Sequence, residues 1–82
     1  MPTTARRDRA VYLARHATSA ANAREPDHAV AIAREAVDIA IETRSARMVR
    51  ELRILERAML PWHDAPVGRD LTEILAPVGK GS

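Results

Sequence analysis

The three histidines carry the side chains best suited to chemistry in this 82-residue sequence. His16 precedes Ser19 by three residues, a spacing that on a helix would place a base and a nucleophile on one face. No acidic residue stands at helical spacing from His16 to orient its ring. We therefore interpret both residues as solvated surface residues, and we predict no catalytic site and no enzyme.

The other two histidines each neighbour an aspartate, in Asp27-His28 and His63-Asp64. Such a pair could begin a metal site, but none of the histidines has a second His or a Cys at ligand spacing, and the sequence contains no Cys. Its three glycines follow no predicted strand, so no phosphate-binding loop is expected either. We predict no metal and no cofactor.

Arginine dominates the charge pattern, with twelve Arg and one Lys in a chain of net charge +2. Residues 1–25 carry five Arg against two acids, and residues 44–60 carry five Arg against two Glu. Between them, residues 26–43 carry one Arg against four acids. An acidic segment thus separates two basic ones.

The basic segment 44–60 could bind a phosphate backbone through counterion release. Its arginines are interleaved with Glu51 and Glu56, however, and no aromatic side chain is placed for base stacking. We therefore expect a solvated or internally paired face and no direct DNA binding.

The side chain of Trp62 either fills part of the core between the third and fourth helices or is a main contact of an interface with a partner. The candidate partner-binding residues are Arg47, Arg50, Arg57 and Trp62.

Helical spacing of apolar residues predicts an all-α fold of one domain, 1–82. The four helices are expected at about 5–24, 27–43, 45–60 and 65–75, with 1–4 and 76–82 as flexible ends. Thr3 or Thr4, Ser45 and Asp64 are candidate caps, while Pro26 and Pro61 end the first and third helices. The longest apolar run is short and no signal peptide is evident, which predicts a cytoplasmic protein outside the membrane.

The second predicted helix is apolar around most of its circumference. A narrow stripe of Ala31, Glu35, Asp38 and Glu42 points outward, and the apolar remainder includes Ile41. A helix of this kind is usually packed on more than one side. We predict that it lies between the first and third helices, where its acidic surface would meet basic neighbours.

Residues 27–40 resemble the second helix of a tetratricopeptide repeat, with Ala29 and Ala36 at its small packing positions. Leu13 and Ala17 match positions of the repeat's first helix, whereas Ile41 replaces its closing proline. The resemblance implies two antiparallel tetratricopeptide-like hairpins.

A second likeness covers residues 45–52 and 60–66. This stretch resembles the C-terminal end of the helical-repeat region in bacterial transcriptional regulators that carry an N-terminal repressor-like helix-turn-helix domain. No counterpart of the DNA-binding domain is present in the sequence. The resemblance implies the partner-binding or sensor part of such a regulator.

Two repeat hairpins do not fully bury their own faces, since arrays usually need about three repeats or a capping helix. We therefore predict a non-catalytic protein-interaction module whose exposed flank is covered by another protein, by a peptide, or by a second copy in a homodimer. The alternative is a small basic nucleic-acid-associated protein that uses its Arg-rich helices non-specifically.

Overall fold

The computed structural model describes the backbone of residues 3–80 and the side chains of residues 8–78. Within these residues the chain is helical and contains no strand, which confirms the all-α fold class. The helices are α1 (Thr3–Asn22), α2 (Pro26–Thr43), α3 (Ala46–Ala58) and α4 (Pro66–Lys80), with a 3₁₀ helix at Leu60–Trp62. None of them combines the length and apolar character needed to cross a bilayer.

A tight turn with a left-handed residue separates α1 from α2. Arg24 has φ 64°, its amide donates to the Ala21 carbonyl, and the Glu25 amide donates to the Ala20 carbonyl. These two bonds form the Schellman motif that closes a helix C-terminus. As a result α1 ends at Asn22, two residues before the predicted boundary. Pro26 then occupies the first turn of α2, where its missing N–H is tolerated.

The boundaries of α3 follow from local signals. The Ser45 hydroxyl accepts a hydrogen bond from the Met48 amide at 3.3 Å, which confirms Ser45 as the cap. Helix α3 ends at Ala58, two residues before the predicted boundary, and Pro61 falls inside the 3₁₀ helix that follows instead of ending α3 directly. The chain then turns, and α4 begins at Pro66, one residue after the predicted boundary.

Helix α4 is longer than predicted, because it continues past residue 75 to Lys80. Val78 lies one turn beyond Leu75 and is buried with it, so the apolar edge of the helix extends by a turn. Pro77 is accommodated within this last part of α4 and is exposed. Of the two predicted flexible ends, residues 76–80 are therefore helical, and so are residues 3–4, because α1 begins at Thr3. Residues 1–2 and 81–82 lie outside the described part of the chain.

The packing order of the helices differs from the prediction. Helix α1 packs extensively against α2 and also against α3, whereas α2 takes α4 as its second neighbour and barely touches α3. The prediction that α2 is covered on two sides is confirmed, but the prediction that α3 covers it is wrong. Helices α1 and α2 form a packed hairpin, α3 lies against α1 and α4 lies against α2, while α3 and α4 touch each other only slightly.

The core has two parts with different side chains. Nine alanines of α1 and α2 are buried, and we call them the alanine seam. They are Ala10, Ala14, Ala17, Ala20, Ala21, Ala29, Ala33, Ala36 and Ala40. Small side chains let helix axes approach toward the lower end of the 8–10 Å range. The same two helices also bury five larger side chains, which are Val11, Leu13, Val30, Val37 and Ile39. Helices α3 and α4 contribute no buried alanine, only larger side chains, among them Met48, Leu52, Leu55 and Leu71.

The outward stripe of α2 is where it was predicted, since Ala31, Glu35, Asp38 and Glu42 are exposed. Ile41 is the exception on the apolar side, because 46% of its surface is exposed. Together with Val49 and Val78 it lines an open apolar cleft of about 230 Å³. The wide apolar surface of α2 is therefore left uncovered near its C-terminus.

Gly68 marks a close approach between α4 and the 3₁₀ helix. A β-carbon built on Gly68 would overlap the carbonyl oxygen of Trp62 and would lie 2.9 Å from the Cα of His63. Both are backbone atoms, which cannot rotate away as a side chain could. Only glycine lets α4 pass this close to the turn that precedes it.

Candidate functional site

The outer face of α3 collects the predicted partner-binding arginines. Arg47, Arg50, Ile54 and Arg57 follow one another at helical spacing, and all four are exposed. We call this set the arginine face. Ile54, at 51% exposure, lies within the row of guanidinium groups. The buried stripe of Met48, Leu52 and Leu55 occupies the opposite side of the helix.

Other arginines of the chain are engaged by carboxylates. Arg15 donates to Glu51 at 3.2 Å, which links α1 to α3, and Arg53 donates to Glu56 at 3.2 Å within α3. Between α1 and α2, Arg9 donates to Glu35 at 3.1 Å.

By contrast, the arginines of the arginine face form no ion pair with any described side chain. The two glutamates interleaved with them in sequence are already paired with Arg15 and Arg53. The guanidinium groups of Arg47, Arg50 and Arg57 thus remain available to an external partner.

An open cleft of about 490 Å³ lies between α3 and α4, beside the arginine face. Its lining mixes charged, apolar and small residues, including Arg53, Arg57, Leu60, His63 and Thr72. Leu60 is 57% exposed. Because Arg57 belongs both to this α3–α4 cleft and to the arginine face, the two features form one continuous surface.

Trp62 differs from the three arginines predicted with it. The ring is half-buried and packs against the hydrophobic core, while the Trp62 carbonyl accepts a hydrogen bond from the Ala65 amide at 2.9 Å. The structure thus brings Arg47, Arg50 and Arg57 onto one exposed face and places Trp62 in the turn that supports α4.

A second cluster was not foreseen from sequence. The rings of His16 on α1 and His28 on α2 meet edge to face, with their centroids 5.8 Å apart. Tyr12 lies one turn from His16, with ring centroids 6.0 Å apart. His16 and His28 line an open cleft of about 370 Å³ together with Ser19 and Glu25. We call this the histidine cleft.

The sequence alone does not connect His16 with His28, because eleven residues that include a turn lie between them. Their proximity follows only once α1 and α2 are known to pack as an antiparallel hairpin in this register. Ser19 lines the same cleft, but among the described side chains it forms no hydrogen bond with His16. The third histidine, His63, lies beside Asp64 with Nε2 and Oδ2 3.2 Å apart, and it lines the α3–α4 cleft.

Among the side chains of residues 8–78, no group of three or more His, Asp or Glu residues is arranged to hold a metal ion. Neither a protein family, nor a curated protein, nor a solved structure matches the chain.

Proposed function

We propose that the chain is a non-catalytic protein-interaction module of the cytoplasm, the partner-binding or sensor part of a transcriptional regulator. The binding surface is the arginine face together with the adjoining α3–α4 cleft. The observation that carries the proposal is a row of guanidinium groups around an exposed isoleucine, none of them in an ion pair with a side chain of residues 8–78.

The chemistry of this surface favours a protein segment with carboxylates beside an apolar side chain. Arginine forms bidentate hydrogen bonds with carboxylates, and it is enriched at the energetic centres of protein interfaces. Ile54 and Leu60 supply exposed apolar surface next to these charges. The charges would steer an acidic partner, and the apolar groups would be desolvated on contact.

The packing order supports the repeat-like part of the proposal. First helices stacked on first helices, and second on second, are what two consecutive helical hairpins produce, and such stacks present extended binding surfaces. With only two hairpins and an alanine-rich half-core, the module gains stability when a partner covers its flank. A second copy of the chain is one such partner.

Fluorescence anisotropy tests the surface with two probes, a labelled peptide of alternating glutamate and leucine and a random-sequence DNA duplex. The informative variant is Arg50→Gln with Arg57→Gln. The matched control is Arg34→Gln with Arg69→Gln, which removes the same charge from exposed positions on α2 and α4. Each exposed charge contact contributes about 0.2–1 kcal/mol, so losing two weakens peptide binding about two- to thirtyfold.

Peptide binding that drops in the first variant and persists in the control would support the arginine face. Equal binding by both variants, or none by the native chain, would contradict it. If DNA binds instead, with affinity that falls steeply as salt rises, the nucleic-acid alternative is favoured. The molar mass from light scattering at micromolar concentration distinguishes a homodimer from a monomer whose partner is a different protein. The regulator part of the proposal requires an encoded helix-turn-helix domain in the DNA upstream of the Met1 codon.

A further inference from the structure

The histidine cleft lies on the α1–α2 hairpin and is formed by residues that the proposed partner surface does not use. His16 and His28 come from different helices, are both exposed, and face each other at a centroid separation of 5.8 Å. From this arrangement we propose that His16 and His28 form a two-histidine site for a divalent transition metal ion of the Zn²⁺ type.

The spacing of the rings suits a shared ion. Imidazole nitrogens bind Zn²⁺ at about 2.0–2.1 Å, and two rings on one tetrahedral ion have centroids roughly 5 Å apart. The observed separation is within 1 Å of that value. Since both side chains are exposed, small changes in their torsion angles bring one nitrogen of each ring toward a common point.

The surroundings of the pair leave room for the rest of a coordination shell. The cleft is open to solvent, so water can occupy the remaining positions on the ion. Glu25 lines the same cleft at the start of α2, although it does not complete a three-residue cluster with the histidines. Two imidazoles with water suit borderline ions such as Zn²⁺, Ni²⁺ and Cu²⁺ better than Mg²⁺ or Ca²⁺, which prefer oxygen ligands.

A bound ion would join α1 to α2 across their connecting turn. Binding to the folded chain alone stabilises it by mass action. Because the two ligands are far apart in sequence, the unfolded chain does not hold them at this spacing. Zn²⁺ is therefore expected to raise the unfolding temperature as well as to bind.

The chain supplies its own control for the experiment, because His63 lines a different cleft. Isothermal titration of ZnCl₂ into the full chain is compared for the native protein and for His16→Ala, His28→Ala and His63→Ala. Removal of a residue that only orients a metal ligand costs about 10–100-fold in affinity. Loss of a ligand itself is therefore expected to weaken Zn²⁺ binding by at least about tenfold.

The expected result is one Zn²⁺ per chain, with binding weakened in His16→Ala and His28→Ala and unchanged in His63→Ala. In the native chain, NMR signals of the His16 and His28 rings should shift together as Zn²⁺ is added, which keeps the test valid if a variant fails to fold. No binding, equal binding by all four proteins, or a loss confined to His63→Ala would overturn the proposal.

Discussion

Replacing Gly68 with alanine should destabilise the protein, although the same change in most helices is stabilising. In a helix interior, alanine is favoured over glycine by about 1 kcal/mol. At position 68, however, the added methyl group would overlap the carbonyl oxygen of Trp62 and would lie 2.7 Å from the carbonyl carbon. Relief of that overlap requires α4 and the 3₁₀ helix to separate.

The magnitude follows from the two opposing terms. Overpacking by one methylene or methyl group typically costs about 1–3 kcal/mol, and more when the obstacle is rigid backbone. Subtraction of the helix-propensity gain of about 1 kcal/mol leaves roughly 0–2 kcal/mol, and because the obstacle is backbone that cannot rotate away, we expect a net loss near the upper end of that range. For a domain of this size, 1 kcal/mol corresponds to about 4–8 °C in Tm.

Urea unfolding followed by the fluorescence of Trp62, the only tryptophan, measures this loss at the place where the overlap occurs. The control is Ala76→Gly, at an exposed position of the same helix, which should cost about 1 kcal/mol through propensity alone. A Gly68→Ala variant as stable as the native chain, or more stable, would refute the close approach described for Gly68.

Two further predictions concern the turns and the core. Arg24 and Arg44 adopt left-handed conformations, at φ 64° and 52°, which cost a non-glycine residue about 1–2 kcal/mol. Against this, glycine increases the conformational entropy of the unfolded chain, which lowers the free energy of unfolding by about 0.4–1 kcal/mol. Arg24→Gly and Arg44→Gly should therefore each stabilise the chain by about 0.5–1 kcal/mol, and a fall in urea midpoint for both would contradict the assigned turns. On α3, Leu55→Ala should cost about 2–5 kcal/mol because Leu55 is fully buried, whereas its neighbour Ile54→Ala should change stability by no more than about 0.5 kcal/mol. Similar losses at these adjacent positions would show that α3 is rotated from the orientation described.

The four helices could be predicted from sequence because their signals are local. Ser45 marks its own helix start with a hydrogen bond three residues away, and Pro26 and Pro66 act through the geometry of their own rings. The exposed stripe of α2 follows from helical periodicity in the same way. These features do not depend on what the helix packs against.

What could not be predicted depends on the arrangement of whole helices. An apolar circumference shows that α2 has two neighbours but does not say which helices they are, and the second neighbour is α4 rather than the predicted α3. His16 and His28 meet only because of the hairpin register. Nothing in the sequence shows whether Gly68 is required by a close backbone approach or is simply a glycine that weakens its helix.

The alanine seam has a consequence for how this protein responds to mutation. Truncation to alanine, the usual survey of a hydrophobic core, leaves these nine buried positions unchanged by definition. Within α1 and α2 it therefore reports only on the larger buried side chains, which are Val11, Leu13, Val30, Val37 and Ile39. At the alanines themselves the informative change is enlargement, because adding methylene groups to a packed core typically costs about 1–3 kcal/mol. The α1–α2 hairpin is thus sensitive to a gain of volume at its alanines, whereas α3 and α4, which bury only larger side chains, are sensitive mainly to a loss of volume.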